Sequence, residues 1–226
     1  MLVSIRTPTA RPAYSSTWKQ ELHANVTVLT PCNRRCPHCC CGDVVYREKG
    51  RIFSPDDIAR DIAALGDVGT VLLTGGEPTL HPNFPAVAEA ARSARGKRKL
   101  TLVTAGAKLV QHAHATRFFD NIRMSVFDET SDAGASTPSG LVEQFTKVCP
   151  PGVSFEPAII THYRTAGGKN PCGRISNTVS TMDGRVYPCC VASGISGARS
   201  TDLTAGWENR LLEVRAPCES CVFGEP

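Results

Sequence analysis

Between residues 22 and 160, five segments with the composition of strands alternate with segments of helical periodicity. The predicted strands are Leu22–Thr30, Thr70–Thr74, Leu100–Thr104, Ile122–Phe127 and Val153–Ile160. This alternation predicts parallel strands joined by right-handed crossovers through the helices. Because a closed βα barrel needs eight such units, the sequence predicts an α/β fold with an open, partial barrel of about five parallel strands.

The segments between these strands carry helix signals. Ser54 is followed by Pro55, Asp56 and Asp57, which is the order of an N-cap, a first helical position and an acidic first turn. Three further helices are predicted at Asn83–Arg95, Ala107–Phe118 and Thr137–Val148.

The first predicted strand places His23, Asn25 and Thr27 on one face and apolar residues on the other. Two interpretations are open: the polar face belongs to a strand at the solvent-exposed edge of the sheet, or it lines the interior of a barrel and faces a substrate. The loop after this strand leaves its carboxyl end, where the active sites of βα barrels lie.

The composition of the 226 residues, with 41% hydrophobic and 20% charged, is that of an ordinary globular protein. No apolar run is long enough to span a bilayer, and Met1–Gln20 lacks the apolar core of a signal peptide. A cytoplasmic location without a membrane partner is therefore expected. The net charge of +4 is too small to indicate a nucleic-acid partner. The basic run Arg95–Lys99 precedes the third strand and is expected to be a solvated turn.

Cysteine is the outlier of the composition, with an odd count of 11 that excludes complete disulfide pairing and favours metal binding. Three of them, Cys32, Cys36 and Cys39, form a C-x3-C-x2-C motif that we call the cysteine triad. Structural zinc and most iron–sulfur clusters need four ligands. A four-iron cluster held by three thiolates has one iron open to a small molecule. The alternative is a zinc or structural cluster with Cys40 or Cys41 as the fourth ligand.

The cysteine triad is followed by Gly75-Gly76-Glu77-Pro78, which we call the GGEP turn. Together the two motifs resemble the radical S-adenosylmethionine (radical SAM) superfamily. The resemblance implies that the triad holds a [4Fe-4S] cluster whose fourth iron binds SAM, and that the GGEP turn receives the amino group of SAM. It also implies that Thr104, in Thr104-Ala105-Gly106, and Ser125, in a Ser-x-x-Asp motif, contact SAM. Ala105 stands where relatives often have Asn, which puts one polar contact in doubt.

A change of composition near residue 163 predicts a domain boundary, with a barrel at residues 1–162 and a small domain at residues 163–226. The second part contains a predicted hairpin about Asp183-Gly184 and a predicted helix at Asp202–Val214. Four thiols of this part, the tail cysteines, could bind zinc or an iron–sulfur cluster: Cys172, Cys189, Cys218 and Cys221. The order of these features resembles the Twitch domain, a short relative of the SPASM domain, and implies one auxiliary [4Fe-4S] cluster.

Radical SAM enzymes with a Twitch domain include aminocyclitol dehydrogenases of antibiotic biosynthesis, which this chain resembles most. The implied function is the oxidation of a small polar substrate after reductive cleavage of SAM, with an electron donor of the flavodoxin or ferredoxin type. His162 is a candidate base for the proton of the substrate. Cys149 is expected to be a small buried side chain.

Three other functions stay open. A redox-neutral epimerase or cyclase is the first of them, and for an epimerase Cys190 is a candidate hydrogen-atom donor. A peptide-modifying enzyme is the second. A non-catalytic iron–sulfur or zinc protein is the third and belongs to a different class.

Overall fold

The computed structural model describes residues 22–34, 50–66, 68–127, 137–138, 140–160, 178–187 and 200–207. Its strands in chain order are β1 His23–Thr27, β2 Thr70–Thr74, β3 Lys99–Thr104, β4 Asn121–Phe127, β5 Ser154–Ile160, β6 Thr178–Met182, β7 Arg185–Tyr187 and β8 Thr201–Asp202. They form one open sheet in the order β5-β4-β3-β2-β1-β6-β7-β8. Strands β1 to β6 are parallel, whereas β7 and β8 are antiparallel to their neighbours. The predicted α/β class and the five parallel strands are confirmed.

In the described part of the chain three α-helices accompany the sheet: α1 Pro55–Ala64, α2 Phe84–Ala94 and α3 Leu141–Val148. Helix α1 begins as its sequence predicts, because the Ser54 hydroxyl accepts the amide hydrogen of Asp57 (3.1 Å) and the Asp57 carboxylate accepts that of Ser54 (3.2 Å). Two short 3₁₀ helices, Pro78–Leu80 and Ala113–Phe118, lie beyond the carboxyl ends of β2 and β3.

One face of the parallel sheet is apolar. Val26, Leu73, Leu102 and Ile122 are fully buried and lie in register across β1 to β4. The buried side chains of the three helices belong to the same core. On β5 the ring of Phe155 continues this face and contacts Phe145 of α3, with 4.8 Å between the ring centroids.

The opposite face, which we call the polar face, carries the alternate residues of the same strands. It includes Asn25 and Thr27 on β1, Thr101 on β3, Arg123 on β4 and Glu156 on β5. Strand β1 lies between β2 and β6, so the interpretation of its polar side as the edge of the sheet is wrong. Thr27 is buried and Asn25 half-buried, as expected inside a partial barrel.

The predicted hairpin is confirmed, and it extends the barrel sheet. Strand β6 pairs with β1 in parallel, from His23 opposite Thr178 to Val26 opposite Thr181. Asp183 and Gly184 both have positive φ, 57° and 69°, as the central residues of a type I′ turn do. The domain boundary predicted near residue 163 lies outside the described residues.

The tip of the hairpin contacts two elements of the barrel. The Gly184 amide donates to the buried carboxylate of Asp61 on α1 (3.3 Å), and Asp183 forms an ion pair with Arg51. Burial raises the pKa of Asp61. The hairpin is therefore fixed both to α1 and to the segment that precedes it.

Three local predictions are wrong. Residues 107–118 form turns and a 3₁₀ helix, and the Thr116 hydroxyl competes with helical bonding by donating to the Ala113 carbonyl (2.6 Å). Helix α3 begins at Leu141 and not at Thr137, because Pro138 disfavours helix at the residue before it. The predicted helix does not begin at Asp202, which pairs with Arg185 as part of β8.

The basic run Arg95–Lys99 is partly structural. Arg95 pairs with Asp120 at 2.6 Å, and Arg98 donates to the carbonyl of Ile62. Among the residues that the structure describes, no helix has the length and apolar character needed to cross a membrane.

Candidate active site at the carboxyl ends of the strands

The chain segments that carry the cysteine triad and the GGEP turn lie side by side. Beyond the ends of β1 and β2, the amide of Val28 donates to Thr74, that of Gly76 to Leu29 and that of Glu77 to Pro31, each at 2.9 Å. Pro31 immediately precedes Cys32. The structure therefore brings Cys32 and the GGEP turn together, although more than 40 residues separate them in the sequence.

The two glycines of the GGEP turn are required by this contact. A Cβ atom on Gly75 would lie 2.3 Å from the Leu29 carbonyl oxygen, and one on Gly76 would lie 2.0 Å from the Pro31 carbonyl oxygen. Gly75 also has φ of +143°. The close approach that the glycines allow is thus to the backbone that leads into Cys32.

The backbone that leads into Cys32 is hydrogen-bonded on its other side as well, to residues 51–53. The Thr30 amide donates to the Arg51 carbonyl and the Arg51 amide donates to the Thr30 hydroxyl, both at 2.8 Å. The Phe53 amide donates to the Val28 carbonyl (3.2 Å). Neither Thr30 nor Arg51 was predicted from the sequence, where the signal was a polar residue directly before the Pro31-Cys32 pair.

The carboxylate of Glu77 is buried at the centre of a hydrogen-bond network. Its Oε1 accepts the amide of Thr79 (3.0 Å) and the hydroxyls of Thr79 and Thr104, and its Oε2 accepts the amide of Ala105 (2.7 Å). The residues predicted to contact SAM at the ends of β2 and β3 therefore contact each other. Ala105 takes part through its backbone, which an Asn at this position would also offer.

His81 follows the GGEP turn and was also missed from the sequence. Its Nδ1 accepts the Asn83 amide (3.1 Å), so the ring hydrogen is on Nε2 and is donated to the Phe53 carbonyl (2.9 Å). Burial lowers the pKa of His81. This neutral ring connects the residues after the GGEP turn to Phe53, in the segment 51–53 that is hydrogen-bonded to residues 28–30.

Cys32 is half-buried, and its Sγ accepts the amide hydrogen of Arg34 at 3.4 Å. The guanidinium of Arg34 is buried and reaches the Thr137 hydroxyl (3.5 Å). Ser125 is half-buried near the end of β4, opposite Ala158 on β5.

The other predicted site residues lie outside the described residues: Cys36, Cys39, the tail cysteines, His162 and Cys190. Cys149 packs against the core but is half-buried, whereas a fully buried side chain was expected, and this partial burial raises the pKa of its thiol.

Residues 26–127 match the model of the Radical SAM superfamily. This part of the chain is a radical SAM domain. The match includes Cys32, the GGEP turn, Thr104 and Ser125. Radical SAM domains bind a [4Fe-4S] cluster and SAM, so these two cofactors, predicted from the sequence, are confirmed for this family.

Curated relatives of similar sequence are named GTP 3′,8-cyclase. That of Actinobacillus pleuropneumoniae serotype 7 is 33% identical over 94 residues, which cover 40% of this chain and 28% of the relative. That of Psychromonas ingrahamii is 29% identical over 108 residues, which cover 46% of this chain and 32% of the relative. The chain thus matches about a third or less of the length of either relative.

Two solved structures share the fold. BtrN in complex with AdoMet and 2-DOIA has a TM-score of 0.58 and 15% identity, over 89% of this chain and 83% of BtrN. The enzyme anSMEcpe with bound AdoMet has a TM-score of 0.54 and 15% identity, over 85% of this chain and 80% of that one. The likeness confirms an open α/β barrel.

The described residues fit the two cofactors. A cysteine thiol is the ligand that iron–sulfur clusters use, and the amide hydrogen bond to the Cys32 sulfur is of the kind that adjusts cluster potentials. The GGEP turn is hydrogen-bonded to the backbone that leads into this thiol.

Proposed function

We propose that this chain is a radical SAM enzyme that cleaves SAM reductively and abstracts hydrogen from a small polar substrate. The observation that carries the proposal is the backbone pairing of residues 28–31 with the GGEP turn. This pairing holds Cys32, a ligand for the cluster, next to the GGEP turn, which would bind SAM. A non-catalytic iron–sulfur or zinc protein would not need the second motif beside the first.

In this proposal the cysteine triad holds a [4Fe-4S] cluster and the GGEP turn, Thr104 and Ser125 hold SAM. When bound, the cluster and SAM supply a 5′-deoxyadenosyl radical that takes a hydrogen atom from the substrate. Glu77 fixes the ends of β2 and β3 through the network around its carboxylate. Among the described residues its Oε2 accepts one hydrogen bond, from the Ala105 amide, and so has capacity for the amino group of SAM.

Residues 163–226, which we call the tail, are proposed to be a Twitch-type domain in which the four tail cysteines bind an auxiliary [4Fe-4S] cluster. The favoured reaction is oxidation of a secondary alcohol. The substrate would lose a hydrogen atom to the radical, a proton to a base such as His162 and an electron to the auxiliary cluster. The fold shared with BtrN, whose structure holds AdoMet and 2-DOIA, supports a small polar substrate.

A redox-neutral cyclisation is the second candidate, because the curated relatives are GTP 3′,8-cyclases. Epimerisation, with Cys190 as the hydrogen-atom donor, is a third outcome that the same assay separates. GTP and an aminocyclitol are therefore both substrates to test.

The test begins with the anaerobically reconstituted protein, SAM and dithionite, with and without each substrate. We expect 5′-deoxyadenosine from the parent, none from Cys32→Ala, and unchanged formation from the matched control Cys149→Ala. Absence of 5′-deoxyadenosine from the parent in every assay would refute the proposal.

Product mass then distinguishes the reactions. A loss of two hydrogens indicates oxidation, whereas an unchanged mass with incorporation of solvent deuterium indicates epimerisation. A cyclised product of GTP with unchanged composition indicates the cyclase.

A further inference from the structure

The polar face is unusual for a parallel sheet. Parallel strands are generally covered on both faces and read as continuous apolar runs. Here the core that contains the helices lies on the apolar face, and most of the alternate residues on the other face are polar, although Leu72, Val103 and Ala158 also lie there. A face of this kind in a partial barrel is suited to water and polar ligands.

Two opposite charges lie next to each other on this face. Arg123 on β4 is directly opposite Glu156 on β5, with 3.6 Å between Nε and Oε2. The two side chains are 52% and 51% exposed. An ion pair that is this exposed contributes little to stability. Its charges can therefore be exchanged for those of a ligand at small cost.

The pair lies deeper along the strands than the predicted SAM contact. Arg123 comes two residues before Ser125 on β4, so both side chains are on the same face and about 7 Å apart along the strand. Asn121, two residues before Arg123, has a buried Oδ1 without a hydrogen-bond partner in the described part of the chain. The row formed by Asn121, Arg123 and Glu156 thus offers donors, a carboxylate and an unfilled acceptor.

We propose that Arg123 and Glu156 bind the substrate, and that this substrate is a small molecule with both an anionic group and an amine. The Arg123 guanidinium takes a phosphate or carboxylate in its planar fork, and the Glu156 carboxylate takes the ammonium group. A ligand that carries both charges gains a charge-assisted contact with each side chain, whereas a ligand with one charge gains only one such contact. The assignment rests on the proposed function, because it places the substrate beneath SAM in the same barrel.

The test is calorimetric titration of the anaerobic protein with its cluster and SAM, using three probes. Glucosamine 6-phosphate carries both groups, glucose 6-phosphate carries only the anion and glucosamine carries only the amine. We expect millimolar or tighter binding of glucosamine 6-phosphate and weaker binding of the other two. Arg123→Gln should weaken both phosphate-bearing probes by about tenfold or more, and Glu156→Gln should weaken only the amine-bearing probes.

The matched control is Lys147→Gln, which breaks the exposed Glu143–Lys147 pair on α3 and should change no affinity. The inference is overturned if the parent does not bind glucosamine 6-phosphate, if it shows no preference for that probe, or if the Arg123 and Glu156 variants bind as the parent does. Formation of 5′-deoxyadenosine without any probe is measured in parallel. If it occurs while the binding pattern fails, only this inference falls. If it occurs in no assay, with or without a substrate or probe, the proposed function falls, and the binding pattern then decides only whether the pair is a ligand site.

Discussion

Replacement of Glu77 by Gln should destabilise the fold even though it changes a single atom. Four donors converge on the Glu77 carboxylate, and burial removes water as a substitute. In Glu77→Gln the new NH2 group occupies one oxygen position and meets a donor, so at least one hydrogen bond is lost and one buried N–H group is unsatisfied. A bond to a charged group is worth about 1.5–3 kcal/mol, and an unsatisfied buried group costs about 1–3 kcal/mol. We expect a loss of about 3 kcal/mol in the free energy of unfolding.

Urea unfolding followed by far-UV circular dichroism measures this loss, with parent and variants in the same cofactor state. Thr104→Val removes one of the four donors, together with the acceptor of the Gly106 amide, and should cost about 2 kcal/mol. Thr104→Ser keeps the hydroxyl and serves as the control. The reasoning is refuted if Glu77→Gln lies within 0.5 kcal/mol of the parent, about the scatter expected for an ordinary surface substitution.

Three further predictions concern neighbouring contacts. Gly76→Ala should weaken SAM binding and cluster retention, because the added methyl group would lie 2.0 Å from the Pro31 carbonyl oxygen. Equilibrium dialysis measures SAM binding and iron analysis measures cluster retention. Unchanged values of both would contradict the close contact. The lowered pKa of His81 means that the folded state favours the neutral ring, so its contribution to stability is present above about pH 6.5 and is lost as the pH falls below it. Urea midpoints of the parent and His81→Gln should converge on acidification, and parallel curves would exclude this cause. Asp61→Asn keeps an acceptor for the Gly184 amide and removes a buried charge, so in the same assay it should be at least as stable as the parent. Asp61→Ala removes the acceptor and should lose about 1 kcal/mol in the free energy of unfolding. An equal loss in both variants would show that the charge itself is needed.

The sequence predicted the features that depend on local pattern. Strand periodicity and the capping residues of α1 are local, and the structure confirms the strands and the start of this helix. The resemblance to radical SAM enzymes implied that Cys32 and the GGEP turn serve one site, and the structure brings the two together beyond the ends of β1 and β2.

The contacts that the sequence did not predict are long-range or involve the backbone. The pairing of β6 with β1 joins His23 to Thr178, and no local pattern specifies which edge a hairpin adds to. Thr30 and Arg51 pair mainly through main-chain atoms, which every residue has. The partners of Glu77 come from two different strand ends, so its role could be assigned only after the register of β2 and β3 was known.

The parallel pairing of β6 with β1 makes the tail a structural part of the barrel. If the chain were cut at residue 163, β1 would become an edge strand with unpaired amide and carbonyl groups along the residues now bonded to β6. Exposed edges of this kind promote aggregation. Because β1 leads directly into the cysteine loop, such a truncated protein should lose solubility together with its capacity to keep a cluster. Residues 1–162 and 163–226 are therefore expected to need expression together, whatever reaction the tail supports.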